Sequence, residues 1–458
     1  MKGFFRVFSG VLLVGLLCTF CLWRKESLPD LSHVGTALQG AVGQIGAISD
    51  LIEGGIPTVP PTVPENDGAS DLPYTESELS EVLDADFEQT LLGAVTTHTD
   101  KVDVSRFSLT SEQIRERVSQ FLFTHPELFY VNTAYRIGTL PGSSTVSQIQ
   151  FDYLYGAAEV SEMTAAYENT LDEIAAGVED GASDFDKILY LHDYFIRNYA
   201  YDYEGLEDGT AIRDAYRFFE EKTGVCQAYM LALIAAANEV GLECLPVTST
   251  EMNHAWNIVK IDGKWYHIDV TWDDAGGESA PVYPSYVSYD YFLLSGEKLY
   301  RDGRTVTWET TQSATDTTYD TARWREAANT PLVKVDGVYY CVVYDGMGAV
   351  MLSGSPTAME AVRDLGSMRW SSPRGGSYAE CWSSIVAYGE QLIFNSESAL
   401  YAFNPETELP VRVVDLSDAL GGLQIFGIVE IAADGTVTYV AAADYRGEFV
   451  LKEYRLSA

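Results

Sequence analysis

The sequence predicts an α+β protein of several parts, and three observations carry that prediction. The chain has 458 residues, more than the ~250–300 that one hydrophobic core usually serves. Between residues 183 and 274, two apolar patterns of helical period give way to a β-hairpin pattern. In the last third the apolar runs are β-rich, with turns at glycines.

A hydrophobic content of 47%, with 12% aromatic residues, is enough to fill real cores. The 29 Lys and Arg stand against 67 Asp and Glu, a formal charge of −38 that repels phosphate backbones and anionic headgroups. Nucleic acid is therefore excluded as an expected partner. At the N-terminus, Lys2 and Arg6 precede an uncharged run from Val7 to Trp23, which ends at Arg24-Lys25. Its 17 residues sit at the lower limit for a membrane span, and no clear small-x-small cleavage site follows. Leu17 and Phe20 precede Cys18 and Cys21, which argues against a lipoprotein signal. Residues 1–25 are expected to be an export signal retained as an anchor, with the body outside; cleavage would make the protein secreted.

Residues 26–73 read as a flexible linker. "GGIPTVPPTVPENDGASDLP" combines Pro, Gly and acidic residues without a sustained apolar period, so it cannot bury enough surface to order itself. Residues 74–182 read as a small α/β region. Within it Thr110 or Ser111 can cap a helix whose stripe is Ile114, Val118, Phe121 and Leu122.

The segment from Ser183 is richer. Ser183 or Asp184 opens a helix with Phe185, Ile188, Leu189, His192, Ile196 and Tyr199 on one face, which makes His192 a core histidine. A second helix starts at Cys226, directly after Thr223-Gly224-Val225, and runs to a stop at Gly241. It is apolar on nearly all sides and so belongs inside a domain. A cysteine inside such a helix is ordinary packing; at its head, free N–H groups and the positive dipole end favour a thiolate.

Asp262-Gly263 between two β-rich runs signals a two-residue hairpin, because both central positions of a type I′ turn need positive φ. If Ile261 pairs with Lys264, Trp256 faces Asp269 and His254 faces Thr271. His254 and Asp269 are then diagonal neighbours, roughly 7–8 Å apart at the backbone and within side-chain reach. Ala255, Val259, Ile261, Tyr266, Ile268 and Val270 form the other, core face. His267 shares the face of His254 but lies alongside Asp269 on the same strand, with poorer reach. Asp273 and Asp274 are expected to solvate the strand end. Trp256 and Trp272 read as packing around the site or as a substrate wall, and "PVYPSYVSYDYFLLS" reads as a packed connection or a border to the cleft.

The words "GVCQAY", "NHAW" and "KIDGKWYHIDVTWDD" resemble the core motifs of the transglutaminase-like superfamily over residues 183–274. The resemblance implies a papain-like fold in a domain spanning about 183–310. It also implies Cys226 as nucleophile, His254 as base and acid, and Asp269 as the group orienting His254. Gln227 and Trp256 are the substrate-binding candidates; Tyr216 and Gln227 are nearby oxyanion candidates. The implied reaction passes through an acyl-thioester on an amide or peptide carbonyl, and the expected substrate is a protein or peptide, including cell-wall peptide. Hydrolysis is placed ahead of amine transfer. A surface binding protein that uses the same fold without chemistry is the alternative. No calcium loop and no C-x-x-C spacing is found, so no cofactor or metal is expected.

Residues 315–458 are expected to be an all-β domain. Gly337, Gly389 and Gly435 mark turns 52 and 46 residues apart, a spacing like that of propeller blades. Three units are fewer than a closed propeller needs. Cys341 and Cys381 form a candidate disulfide, whereas a Cys226–Cys244 bridge would silence the nucleophile.

Overall fold

The computed structural model describes residues 76–274, 283–299, 307–326, 330–344, 348–378, 382–445 and 447–456. The expected anchor and linker lie outside the described residues, as does Cys381. Among the described residues no helix is long and apolar enough to cross a membrane.

The N-terminal region begins with α1 (Glu76–Thr96), β1 (Lys101–Asp103) and α2 (Ser111–Thr124). Thr110 caps α2 in a reciprocal capping box with Gln113, and Ile114, Val118, Phe121 and Leu122 are its buried stripe, as the sequence pattern predicts. β2 (Arg136–Thr139) and β3 (Val146–Gln150) complete a three-stranded sheet in the order β1-β3-β2. The chain then passes through α3 (Ala157–Ala175). The buried side chains of this region join those of the central domain in one continuous core.

Ser183 caps α4 (Asp184–Asn198) through a second capping box with Asp186, and the apolar face carries Phe185, Ile188, Leu189, Phe195 and Ile196 inward. A short strand, β4 (Ala200–Tyr201), leads through α5 (Tyr203–Asp208) and α6 (Ala215–Glu221) to β5 (Thr223–Gly224), which pairs in parallel with β4. After Val225, its N-cap, comes α7 (Cys226–Glu239), whose residues from Ala228 to Ala237 are all buried. Gly241, at φ +76, follows its end.

α7 lies on an antiparallel sheet ordered β6-β7-β8, formed by Cys244–Ser249, His254–Ile261 and Lys264–Ile268. Asp262 and Gly263 have φ of +49° and +80°, and Ile261 pairs with Lys264, so the hairpin register is the one the turn predicts. One expectation changes: β8 ends at Ile268, and the chain turns into a single helical turn, α8 (Val270–Asp273), capped by Asp269. His254 therefore pairs with Ser249 of β6 and not with Thr271. Ala255, Val259, Ile261, Tyr266 and Ile268 enter the core with α7. The opposite face is buried too, with Val247, Trp256 and Ile258 in a smaller cluster beside Trp265 and Trp308.

Among the described residues, the C-terminal part forms three antiparallel sheets. They are four strands within residues 333–366, four within 385–415 and three within 424–455, each sheet ordered as its strands follow one another in the chain. Gly337, Gly389 and Gly435, all at positive φ, close the turn between the first two strands of each. The three units are thus real, but among the described residues no closed propeller is identified: three sheets are fewer than the four or more that close a ring. This part grips the central domain. Lys334 pairs with Asp186 at 2.7 Å, and the Leu332 N–H donates to the Tyr289 hydroxyl at 2.9 Å.

Candidate functional site

The head of α7 is fixed by the strand before it. A Cβ on Gly224 would lie 2.7 Å from Ala228 Cβ and 2.7 Å from Phe218 Cδ2, so only glycine lets the chain pass this closely into the helix. The Val225 N–H donates to the Ile212 carbonyl at 2.9 Å, and Val225 supplies no side-chain cap. The parallel pairing of Tyr201 with Gly224 holds the Tyr201 hydroxyl beside Cys226, near enough for the Cys226 N–H to act on it.

The half-buried Cys226 thiol lies close enough to the His254 imidazole and the Ala255 N–H for both to act on its charge. On the other side of the ring, His254 Nε2 donates to Asp269 Oδ2 at 2.6 Å, which leaves Nδ1 for the thiol. Asp269 is itself held: its Oδ1 accepts the Trp272 N–H at 3.1 Å, and its own N–H donates to the Tyr291 carbonyl at 3.1 Å. The structure thus brings Cys226, His254 and Asp269 together, with a hydrogen bond between His254 and Asp269 and the thiol beside the imidazole. Both Cys226 and Cys244 are free thiols, so no bridge silences the first.

The electrostatics suit a thiolate–imidazolium pair. Burial alone would push the Cys226 thiol up, but the His254 hydrogen bond and charge, with the Ala255 N–H, bring it below the ordinary thiol value. Burial alone would likewise push His254 down. The charge and hydrogen bond of Asp269 outweigh it, and with Cys226 they lift His254 to about 10. His267 is the control on the same hairpin. It is buried without a carboxylate, accepts the Trp256 indole N–H on Nδ1 at 3.1 Å, and is pushed down to about 4. A neutral, buried His267 is structural.

Two indoles flank the His254 ring. Trp272 stacks on it with centroids 4.6 Å apart and planes at 7°, and is 42% exposed; Trp256 lies at 5.5 Å and is only 2% exposed. Trp256 is therefore buried, and Trp272 is the more exposed of the two indoles. Tyr203, 37% exposed, packs tilted against Tyr201 with centroids 4.8 Å apart. Gln227 sits half-buried in the first turn of α7. Tyr216 is spent on the Phe129 ring, 4.8 Å away. The tyrosine-rich connection borders the site, with Tyr291 edge-on to Trp272 at 4.8 Å. Asp273 and Asp274 do not solvate the strand end: both are buried, and Asp274 accepts the Tyr229 hydroxyl. The desolvation of two carboxylates is tolerated because each has donors around it.

Tyr201 is the residue that no sequence signal singled out. Its only trace is a two-residue extended stretch after a helix end, too short to read as a strand. Among the described residues no group of three or more His, Cys, Asp or Glu could hold a metal ion.

A cysteine at the head of α7 thus lies beside an imidazole from β7 and a carboxylate in the turn that follows β8. Residues 169–270 match the transglutaminase-like superfamily, so the chain carries a transglutaminase-like domain. A solved structure described as that of a TGase is 20% identical, with a TM-score of 0.22. The similarity covers 32% of this chain and 46% of that one, less than half of either. No curated protein matches the chain.

Proposed function

We propose that this protein is a cysteine enzyme that attacks amide or peptide carbonyls through an acyl-thioester, with water ahead of amines as the acceptor. The observation that carries the reading is the 2.6 Å bond from His254 to Asp269 on the ring side opposite the Cys226 thiol. In the first half-reaction the thiolate adds to the carbonyl carbon, the C–N bond breaks, and the leaving amine takes a proton from the imidazolium. In the second, neutral His254 takes a proton from water, the hydroxyl adds to the thioester, and the C–S bond breaks to restore thiolate and imidazolium. Asp269 holds the ring orientation through both. The Cys226 N–H and the Tyr201 hydroxyl are the proposed donors to the oxyanion. The apolar run from Val7 to Trp23 supports an external, tethered setting, which suits peptide or cell-wall peptide substrates.

The test uses an iodoacetamide probe on the intact protein. Fast labelling of Cys226 that His254→Ala abolishes supports an enzyme. Labelling no faster than free cysteine refutes it and leaves a binding protein. Peptide substrates offered together with a tagged primary amine then separate the acceptors: the leaving amine is released in both cases, so an acyl product ending in a free carboxylate supports hydrolysis, and an acyl product carrying the tag supports transfer.

A further inference from the structure

Behind the Asp269 turn lies a second charged cluster that the proposed chemistry does not use. His192, on α4, is fully buried, with Nδ1 3.1 Å from Asp193 Oδ1 and Nε2 3.1 Å from Asp273 Oδ2. Its ring packs against Tyr289 at 5.3 Å and Phe292 at 4.8 Å. Asp193 also receives the Tyr289 hydroxyl at 3.1 Å and faces Arg197 at 3.8 Å. Asp273, itself fully buried, accepts the Ser288 hydroxyl at 3.1 Å and the Tyr291 N–H at 2.9 Å.

Ionised carboxylates only accept hydrogen bonds, so an imidazole gripped on both nitrogens by two of them must donate from both. A neutral ring would set a lone pair against a carboxylate oxygen. Asp273 is the last residue of α8, the turn that begins at the Asp269 cap and carries Trp272 onto the His254 ring. One end of this turn orients His254 and the other is tied to His192.

We propose that His192 is a buried imidazolium that acts as a positioning residue for the His254–Asp269 pair, by anchoring the 269–273 turn through Asp273. The two sides of the cluster then differ. The Asp273 side reaches the site, and the Asp193 side faces Tyr289 and Arg197. The inference rests on the reading of Cys226 and His254 as a reactive pair.

The experiment measures the rate of Cys226 alkylation by iodoacetamide against pH in the intact protein, alongside thermal midpoints, for Asp273→Asn and Asp193→Asn. Asp273→Asn is expected to move the acid limb of the profile up by about one unit, a tenfold slower reaction at pH 6. Asp193→Asn is expected to stay within about twofold of wild type, because Asp273 still holds the ring. Equal shifts in both variants, or none in Asp273→Asn, overturn the proposal. Should Asp273→Asn not fold, His192→Gln is read in its place by the same criterion; failure of both to fold assigns the cluster to stability and also overturns it. An unreactive wild-type Cys226 sinks the enzymatic reading itself, whereas a reactive wild type with an unshifted Asp273→Asn sinks only the positioning role.

Discussion

Replacing Asp269 by asparagine removes one negative charge beside the His254 ring while keeping the shape of the side chain. The hairpin supplies its own measure of the effect. His254, with the carboxylate at 2.6 Å, sits at about 10, and His267, buried without one, sits at about 4. If only a third of that gap belongs to the Asp269 charge, His254 falls by about two units, or ~2.7 kcal/mol. Two effects compete: the Asp269 charge directly raises the Cys226 thiol, but only as the last of its influences, whereas it is the leading cause that lifts His254, so its removal weakens the thiolate–imidazolium pair on balance. The expected result is about 100-fold slower alkylation of Cys226 at pH 7, with the reaction recovering as pH is raised. The assay is iodoacetamide alkylation across pH 5–10, followed by peptide mass and by thiolate absorbance. Alkylation of Asp269→Asn within about threefold of wild type at pH 7 would refute the electrostatic account of the site.

Tyr201→Phe removes a hydroxyl from the Cys226 N–H but leaves the thiolate pair in place, so acylation by an amide substrate should slow by about 10² while iodoacetamide alkylation, which develops no oxyanion, changes less than about threefold. A parallel loss in both assays would assign Tyr201 to structure. Trp272→Ala strips the open stacking partner from His254 and should lower the amide acylation rate about tenfold with a small change in thermal midpoint; an unchanged rate would remove Trp272 from the site. Gly224→Ala places a methyl 2.7 Å from Ala228 Cβ and Phe218 Cδ2 and 3.3 Å from the Ile212 carbonyl. It should cost about 1–3 kcal/mol in denaturant unfolding and slow Cys226 alkylation, because the strain falls on the residues that aim the sulfur. Unchanged stability would show that the approach to α7 is slack.

What the sequence determined by itself were the features written in short spans. Thr110 with Gln113 and Ser183 with Asp186 mark helix starts because their side chains satisfy N–H groups three residues away. Asp262-Gly263 sets the hairpin register through its own φ angles, and that register carries His254 towards Asp269. Cys226 is legible as a helix head because the apolar period begins there. The tertiary structure alone decided which polar groups lie inside. His192 and Asp273 are 81 residues apart and share one buried cluster, and Asp273 and Asp274 read as a solvated strand end until Ser288, Tyr291 and Tyr229 surround them. It also chose Trp272 over Trp256 as the exposed indole, seated the Tyr201 hydroxyl at the Cys226 N–H, and left three sheets without a closed ring. Caps and turns are energies of neighbours along the chain, whereas burial and the pairing of charges depend on contacts that form only when distant segments pack.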